Sequence, residues 1–417
     1  MISVRNRLLQ LSGNRWLLFL VTTLIATACS PKVQPVAVHH QPVKKETEQP
    51  IIKPEKKEIV AAAPKVSTIA LLLPFGLNHL APGESYTSSS LREADIALGY
   101  YQGFKLALDS LTAQGYNYKL LVLDSKDQKE QAHALATNPS VRKSDLIVGP
   151  VFPDDVKAFT SAYTNGHQPI VSPLSPASPA AYKNPQLVTM VPPLEYHAWS
   201  AAQYINDKIK PEKVFILKSG FNEENEYIAP FKRAIDSLSK KRIKVIMLTV
   251  VHGQLSSLKP QLSITGKNVF VVAATDQHFL TVTLRSLDSL SASYPVTLFG
   301  HPSWVNYTFL KTELLQRLNT HITSADRVDY KAANTVAFMR QYRDTYHTEP
   351  TAYAIKGFDE GMCMGKLAAT DSLKNITQVN FSGLHNNFQF QKKTGLGWVN
   401  THVNVYKYVN FELKKVE

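Results

Sequence analysis

The sequence predicts an α/β protein built from two Rossmann-like lobes, each a parallel sheet wound with helices, around a central cleft. Three observations carry this. The run Ile69 to Phe75 is short and almost wholly apolar, as a strand covered on both faces must be. From there to Ser172, strand-like runs alternate with helix-period segments, which is the pattern of a doubly wound sheet. After Pro192-Pro193 a second series of the same kind begins, and two such series imply two lobes.

The chain opens differently. Arg5, Arg7 and Arg15 precede an apolar run from Trp16 to Ile25. That run is about 10 residues long, short of the roughly 20 a membrane helix needs. Ala26, Thr27, Ala28 and Cys29 follow, and this order reads as a secretory signal. The cysteine at its end resembles a bacterial lipobox, which implies lipidation of Cys29 and a signal peptide over residues 1–29. Residues 30–65 hold six prolines among lysines and glutamates and no aromatic residue, so they read as an extended linker. At ~3.1 Å per residue it would carry a folded domain up to about 100 Å from a membrane.

Within the first series, Asp95 to Gln114 is amphipathic, with Ile96, Tyr100, Phe104, Ala107, Leu108 and Leu111 on one stripe and Gly115 as its stop. Strands follow at Tyr118 to Asp124, Asp145 to Val148 and Pro169 to Ser172. Helices are expected near Gln128 to Leu135 and Asp154 to Tyr163. The second series runs helix (Glu195 to Lys208), strand (Lys213 to Leu217), helix (Glu223 to Leu238), strand (Ile243 to Val250), strand (Asn268 to Ala273), helix (Gln277 to Leu290) and strand (Val296 to Phe299). A strand near His321 to Ser324, helices over Ala332 to Tyr346 and Ala352 to Leu367, and an antiparallel pair at Phe388 to Gln391 and Trp398 to Val409 complete the pattern. The pair is joined by a glycine-containing turn at residues 393–397. This predicts one lobe from residues 66–192 and 301–385, the other from 193–300 and 386–417. Hinges are expected at Pro192-Pro193, near Gly300 and near His385.

Charge and cysteine content narrow the function. The chain has 46 Lys+Arg against 33 Asp+Glu, a net charge of +13. Export makes nucleic acid an unsuitable partner, and net charge speaks to association rather than fold. With two cysteines, Cys29 and Cys363, a lipidated Cys29 leaves no intrachain pair, and no Cys/His spacing suggests zinc. No cofactor is expected. Gly-x-Ser-x-Gly, His-Glu-x-x-His and a phosphate loop are all absent, so the sequence reads as a non-enzyme.

Several stretches together resemble the type I periplasmic-binding family of branched-chain amino acid receptors. These are IALLLPF; YYQGFKLALDSL, with Gly103 where the first helix packs on the sheet; DLIVGPV at Asp145 to Val151; PIVSPLSPASP at Pro169 to Pro179; and the late helix-Pro-helix segment from Phe338 to Met362. The variant found in envelope lipoproteins of Bacteroidetes-like bacteria is closer still. VGPVFPDDVKAF is also similar to the lipoprotein activators of penicillin-binding proteins. The resemblance implies a periplasmic-binding-protein-like fold and a ligand- or solute-binding lipoprotein of the periplasm, anchored to the outer membrane. The alternative it implies is a non-catalytic interaction module regulating peptidoglycan synthesis or another envelope machine.

In open α/β sheets, ligands sit beyond the carboxyl ends of strands. The candidate ligand-binding residues there are Phe75, Phe152, Ser172 and Ser175 in the first lobe and Tyr196, Phe221, Asp276 and Trp304 around the second. Amino-acid-binding relatives hold a carboxylate with hydroxyls after the third and fourth strands. This chain has Ser172 and Ser175 after the fourth but only Val151 to Asp155, without hydroxyls, after the third. The aromatics suit a larger or sugar-like ligand. Candidate partners are thus an amino acid, a peptide, a sugar or a cell-wall fragment, and an envelope protein. The long polar segment Gly76 to Arg92 is placed to cover the cleft.

Overall fold

The computed structural model describes residues 65–80, 83 and 85–416. The signal segment, Cys29 and the linker up to residue 64 lie outside the described residues.

The first sheet begins with β1 (Val66–Leu73), buried along nearly its whole length, and continues through α1 (Ser88–Thr112), β2 (Asn117–Asp124), α2 (Lys129–Thr137), β3 (Leu146–Val148), α3 (Pro153–Ala162), β4 (Ile170–Ser172) and β5 (Leu187–Thr189). The second sheet follows, through α4 (Leu194–Tyr204), β6 (Lys213–Lys218), α5 (Asn225–Leu238), β7 (Lys244–Thr249), β8 (Asn268–Val272), α6 (Gln277–Ser291), β9 (Val296–Gly300) and β10 (His321–Ser324). Two helices, α7 (Ala333–Tyr346) and α8 (Ala352–Ala369), precede β11 (Asn380–Ser382), β12 (Asn387–Lys393), β13 (Gly397–Asn400), β14 (Asn404–Val409) and β15 (Glu412–Lys415). The sheets have orders β11-β12-β13-β5-β4-β3-β1-β2 and β15-β14-β10-β9-β8-β6-β7. Both are parallel in the middle, with antiparallel strands at one edge. These are the two α/β lobes the sequence predicts.

The sheet memberships correct the predicted lobe limits. β10 pairs in parallel with β9 and antiparallel with β14, so residues 301–324 complete the second sheet, not the first. β12 and β13 belong to the first sheet, where Trp398 and Val399 lie beside Val188 and Thr189 of β5. The predicted strand Trp398 to Val409 is two strands in different sheets, parted at residues 401–403. The chain therefore passes between lobes at residues 190–193, 325–332 and 401–403. The passages expected near Gly300 and His385 fall inside a lobe.

The polar segment after β1 is shorter than expected. Thr87 and Ser90 form a reciprocal cap, with Thr87 N–H to Ser90 Oγ at 2.8 Å and Ser90 N–H to Thr87 Oγ1 at 3.1 Å. This starts α1 at Ser88 and draws the serines into the helix, away from any lid. Gly103 packs on a helix rather than on the sheet. A Cβ there would lie 1.9 Å from the Ala354 carbonyl of α8, and one on Gly357 would lie 2.2 Å from the Tyr100 carbonyl. The two helices meet backbone to backbone, which only glycine allows.

Candidate ligand-binding site

The eight residues expected at the site are not brought to one place. Phe75 and Phe152 are partly buried against the first lobe's core, Phe75 edge-on to Tyr101 at 6.1 Å and Phe152 preceding the first turn of α3. Ser172 ends β4, fully buried, its Oγ without a partner among the described residues. Ser175 Oγ is hydrogen-bonded to the Tyr182 hydroxyl at 3.1 Å and accepts the Ala177 N–H, so it holds its own loop. Asp276 caps α6 by accepting the Phe279 N–H at 2.7 Å. Phe221 is exposed, and Tyr196 lies on the outer side of α4 under the Lys393 ammonium, 5.2 Å from its ring centre. Trp304 is 1% exposed and donates its indole N–H to the Ala274 carbonyl at 2.9 Å. It is a core residue of the second lobe, because the one-turn helix Pro302–Asn306 folds it back over Gly300.

What the structure does assemble lies at the passages between lobes. A cavity of ≈ 260 Å³ is lined by Met190, Val191 and Pro192 from the first passage and by Ala325 and Asp326 from the second. Lys356 and Glu360 of α8 and the loop residues His385 and Asn386 close it from the first lobe. His197, Ser303, Asn306 and Thr323 close it from the second. None of the eight predicted residues lines it. Through Val305, His385 and Asn386 it adjoins a wider groove of ≈ 870 Å³.

The polar groups of this cavity are set by burial. Glu360 is 1% exposed and accepts the Tyr100 hydroxyl at 2.8 Å. Burial holds its carboxyl well above the ordinary range, which favours the protonated form. Tyr100 is pushed up as well, by burial and by Glu360. His197 meets Thr323 Oγ1 at 3.1 Å, and burial with His301 nearby pushes it down to about 4, so its ring is neutral at pH 7. The Lys356 ammonium pairs with Asp326 at 2.5 Å, tying α8 to the second passage. Asn386 is buried and its Oδ1 has no hydrogen-bond partner among the described residues. Its loop is fixed by Asp359, whose carboxylate accepts the N–H groups of Leu384 and His385 at 2.8 and 2.9 Å and meets the His385 ring. The arrangement offers an amino-acid-sized space bordered by the buried acid Glu360, the Lys356–Asp326 ion pair and the loop that carries Asn386.

Sequence reasoning missed these residues because they come together only through the crossing topology. One signal was present. Asp359-Glu360 is an acidic pair inside a helix of small and apolar residues, and a buried acid needs a reason.

Solved structures share this architecture. A putative branched-chain amino acid ABC transporter protein from Rhodospirillum rubrum is 14% identical, over 84% of this chain and 100% of that one, with TM-score 0.60. An ABC transporter substrate-binding protein from Desulfitobacterium hafniense in complex with Leu is 17% identical over the same shares, with TM-score 0.54. The fold is that of the type I periplasmic binding proteins. The LpoA (YraM) C-domain from Haemophilus influenzae, a regulator of PBP1A, is 13% identical, over 84% of this chain and 100% of that one, with TM-score 0.56. The type I binding-protein fold thus carries both a solute-binding protein and a regulator of another protein, and fold does not choose between them. No family model and no curated protein sequence matches the chain. Among the described residues no helix is long and apolar enough to cross a membrane.

Proposed function

We propose that this chain is an exported, lipid-anchored, non-enzymatic receptor that closes its two lobes on a small polar ligand. The observation that carries the reading is the cavity at the interlobe passages, walled from both lobes and bordered by Asn386, whose buried Oδ1 has no partner among the described residues. A buried acceptor without a donor costs about 1–3 kcal/mol, which a ligand N–H or O–H would recover. Lobe closure would turn on residues 190–193, 325–332 and 401–403.

The test is a thermal-shift screen of amino acids, dipeptides and monosaccharides on the purified protein. A ligand at a hundredfold excess over its dissociation constant stabilises the fold by about 2.7 kcal/mol. Asn386→Leu should weaken that ligand about tenfold, equivalent to one lost hydrogen bond, while leaving the empty protein at least as stable as the wild type. A hit unchanged by Asn386→Leu would move the site elsewhere.

A second reading, a non-catalytic module regulating an envelope machine, is favoured by one observation. The Ser175 hydroxyl is held by Tyr182, and β3 is followed by no hydroxyl, so the first lobe presents little for an amino-acid carboxylate. Absence of any hit, with co-purification of an envelope enzyme, would select this reading.

Export and anchoring rest on the basic, apolar, small-residue order ending at Cys29, and the proline-rich linker favours a domain held away from the periplasmic face of the outer membrane. Cys29→Ala should release the protein into the soluble fraction; a variant that still sediments with membranes would mean another anchor.

A further inference from the structure

A second groove, of ≈ 520 Å³, lies on the outside of the third passage, apart from the interlobe cavity. One wall is α4, with Tyr196, Trp199 and Gln203. The other is the exposed face of β12, where Gln389 and Gln391 alternate with the buried Phe388 and Phe390. Trp199 is 44% exposed, whereas Trp304 and Trp398 are 1% and 8% exposed. A half-exposed indole offers the groove a flat apolar face with a polar N–H at its edge.

The rest of the lining says what would touch it. No acid, lysine or arginine lines this groove, in a chain with 46 Lys+Arg and 33 Asp+Glu. His402 is its only titratable side chain besides Tyr196, and burial lowers its pKa, so it too is neutral at physiological pH. Among the described residues the side-chain amides of Gln203, Gln389 and Gln391 have no hydrogen-bond partners. An ionic ligand would find no counter-charge in the lining itself, and the Lys393 ammonium beside Tyr196 is already paired with Glu195. A wholly apolar one would strand three amides, each with two donors and an acceptor oxygen. A sugar suits both parts, since its ring offers C–H groups to the indole face and its hydroxyls pair with amides. Tyr196 and Trp199 also wall an adjoining recess of ≈ 420 Å³ with a charged lining of Glu195, Arg233 and Lys393, in which Lys393 and Glu195 pair with each other at 2.5 Å.

We propose that this groove binds a neutral oligosaccharide, with one ring stacked on Trp199 and its hydroxyls held by Gln203, Gln389 and Gln391. The site draws one wall from each lobe, and it is independent of the ligand cavity proposed above.

Maltotriose, cellotriose and triacetylchitotriose serve as probes, titrated into the purified protein up to 10 mM (about the weakest sugar affinity worth scoring, roughly 3 kcal/mol) by isothermal calorimetry and tryptophan fluorescence. At least one should bind and shift the emission. Trp199→Ala should lower that affinity at least tenfold, and Gln389→Ala with Gln391→Ala several-fold, with an unchanged melting temperature because these side chains are exposed. Asn386→Leu should leave the sugar affinity as it is, which separates this site from the interlobe one. No binding by any of the three, or binding that survives Trp199→Ala, overturns the proposal. So does a wild-type dimer in sedimentation that Trp199→Ala dissociates, since the groove would then be a contact between copies.

Discussion

Trp304→Ala should destabilise the empty protein by about 3–5 kcal/mol, the usual cost of deleting a large core aromatic. The indole is buried beneath the second lobe's sheet end, close enough to Gly300 that a Cβ there would come within 2.3 Å of the ring. Two losses combine. The cavity left behind removes apolar contacts with neighbours such as those around Leu298 and Phe270, and the Ala274 carbonyl loses its donor. Urea unfolding without ligand measures the effect directly. A ligand-contacting tryptophan would behave oppositely, with normal stability and lost binding, and that result would restore the residue to the site where its sequence position pointed.

Gly103→Ala is the second large effect, in the range of roughly 1–3 kcal/mol or more for overpacking a tight contact. The new Cβ meets the Ala354 carbonyl at 1.9 Å and the Phe358 backbone nitrogen at 2.9 Å, and neither belongs to a side chain that can rotate away. Relief requires α1 and α8 to separate, which also disturbs the Tyr100–Glu360 hydrogen bond between them. The unfolding midpoint should fall clearly. A variant within about 0.5 kcal/mol of the wild type, the ordinary range for an inconsequential substitution, would mean that the helices slide apart at little cost.

Much of the architecture was legible because it is written in local periodicity. The apolar runs at β1, β3, β6 and β8 and the helical stripe of α1 announce themselves residue by residue. Partner choice is not local. Nothing within His321 to Ser324 states that it lies beside β9 rather than in the first sheet. Nothing between Trp398 and Val409 marks a break, since Thr401, His402 and Val403 suit a strand as well as a passage. The eight strand-end residues are scattered for the same reason. The strand-end rule pointed to Phe75, Ser172 and Trp304, each locally reasonable, but the cavity is walled by the segments that cross between lobes, and those are known only once the sheet memberships are. An aromatic after a strand is equally consistent with a ligand platform and with a core plug, and in Trp304 the backbone turn at Pro302 decides for the plug. Asp359-Glu360 was the exception, a local oddity with a local meaning.

The shared completion of both sheets bears on biogenesis. β13 lies beside β5 in the first sheet, and β14, three residues later, lies beside β10 in the second. A nascent chain that has emerged only as far as Leu396 therefore carries two unfinished halves, each with an unpaired parallel strand on show. Exposed edges of that kind recruit other chains. The first half closes only once β13 is available and the second only once β14 is, so neither sheet is complete until nearly all of the described chain is present.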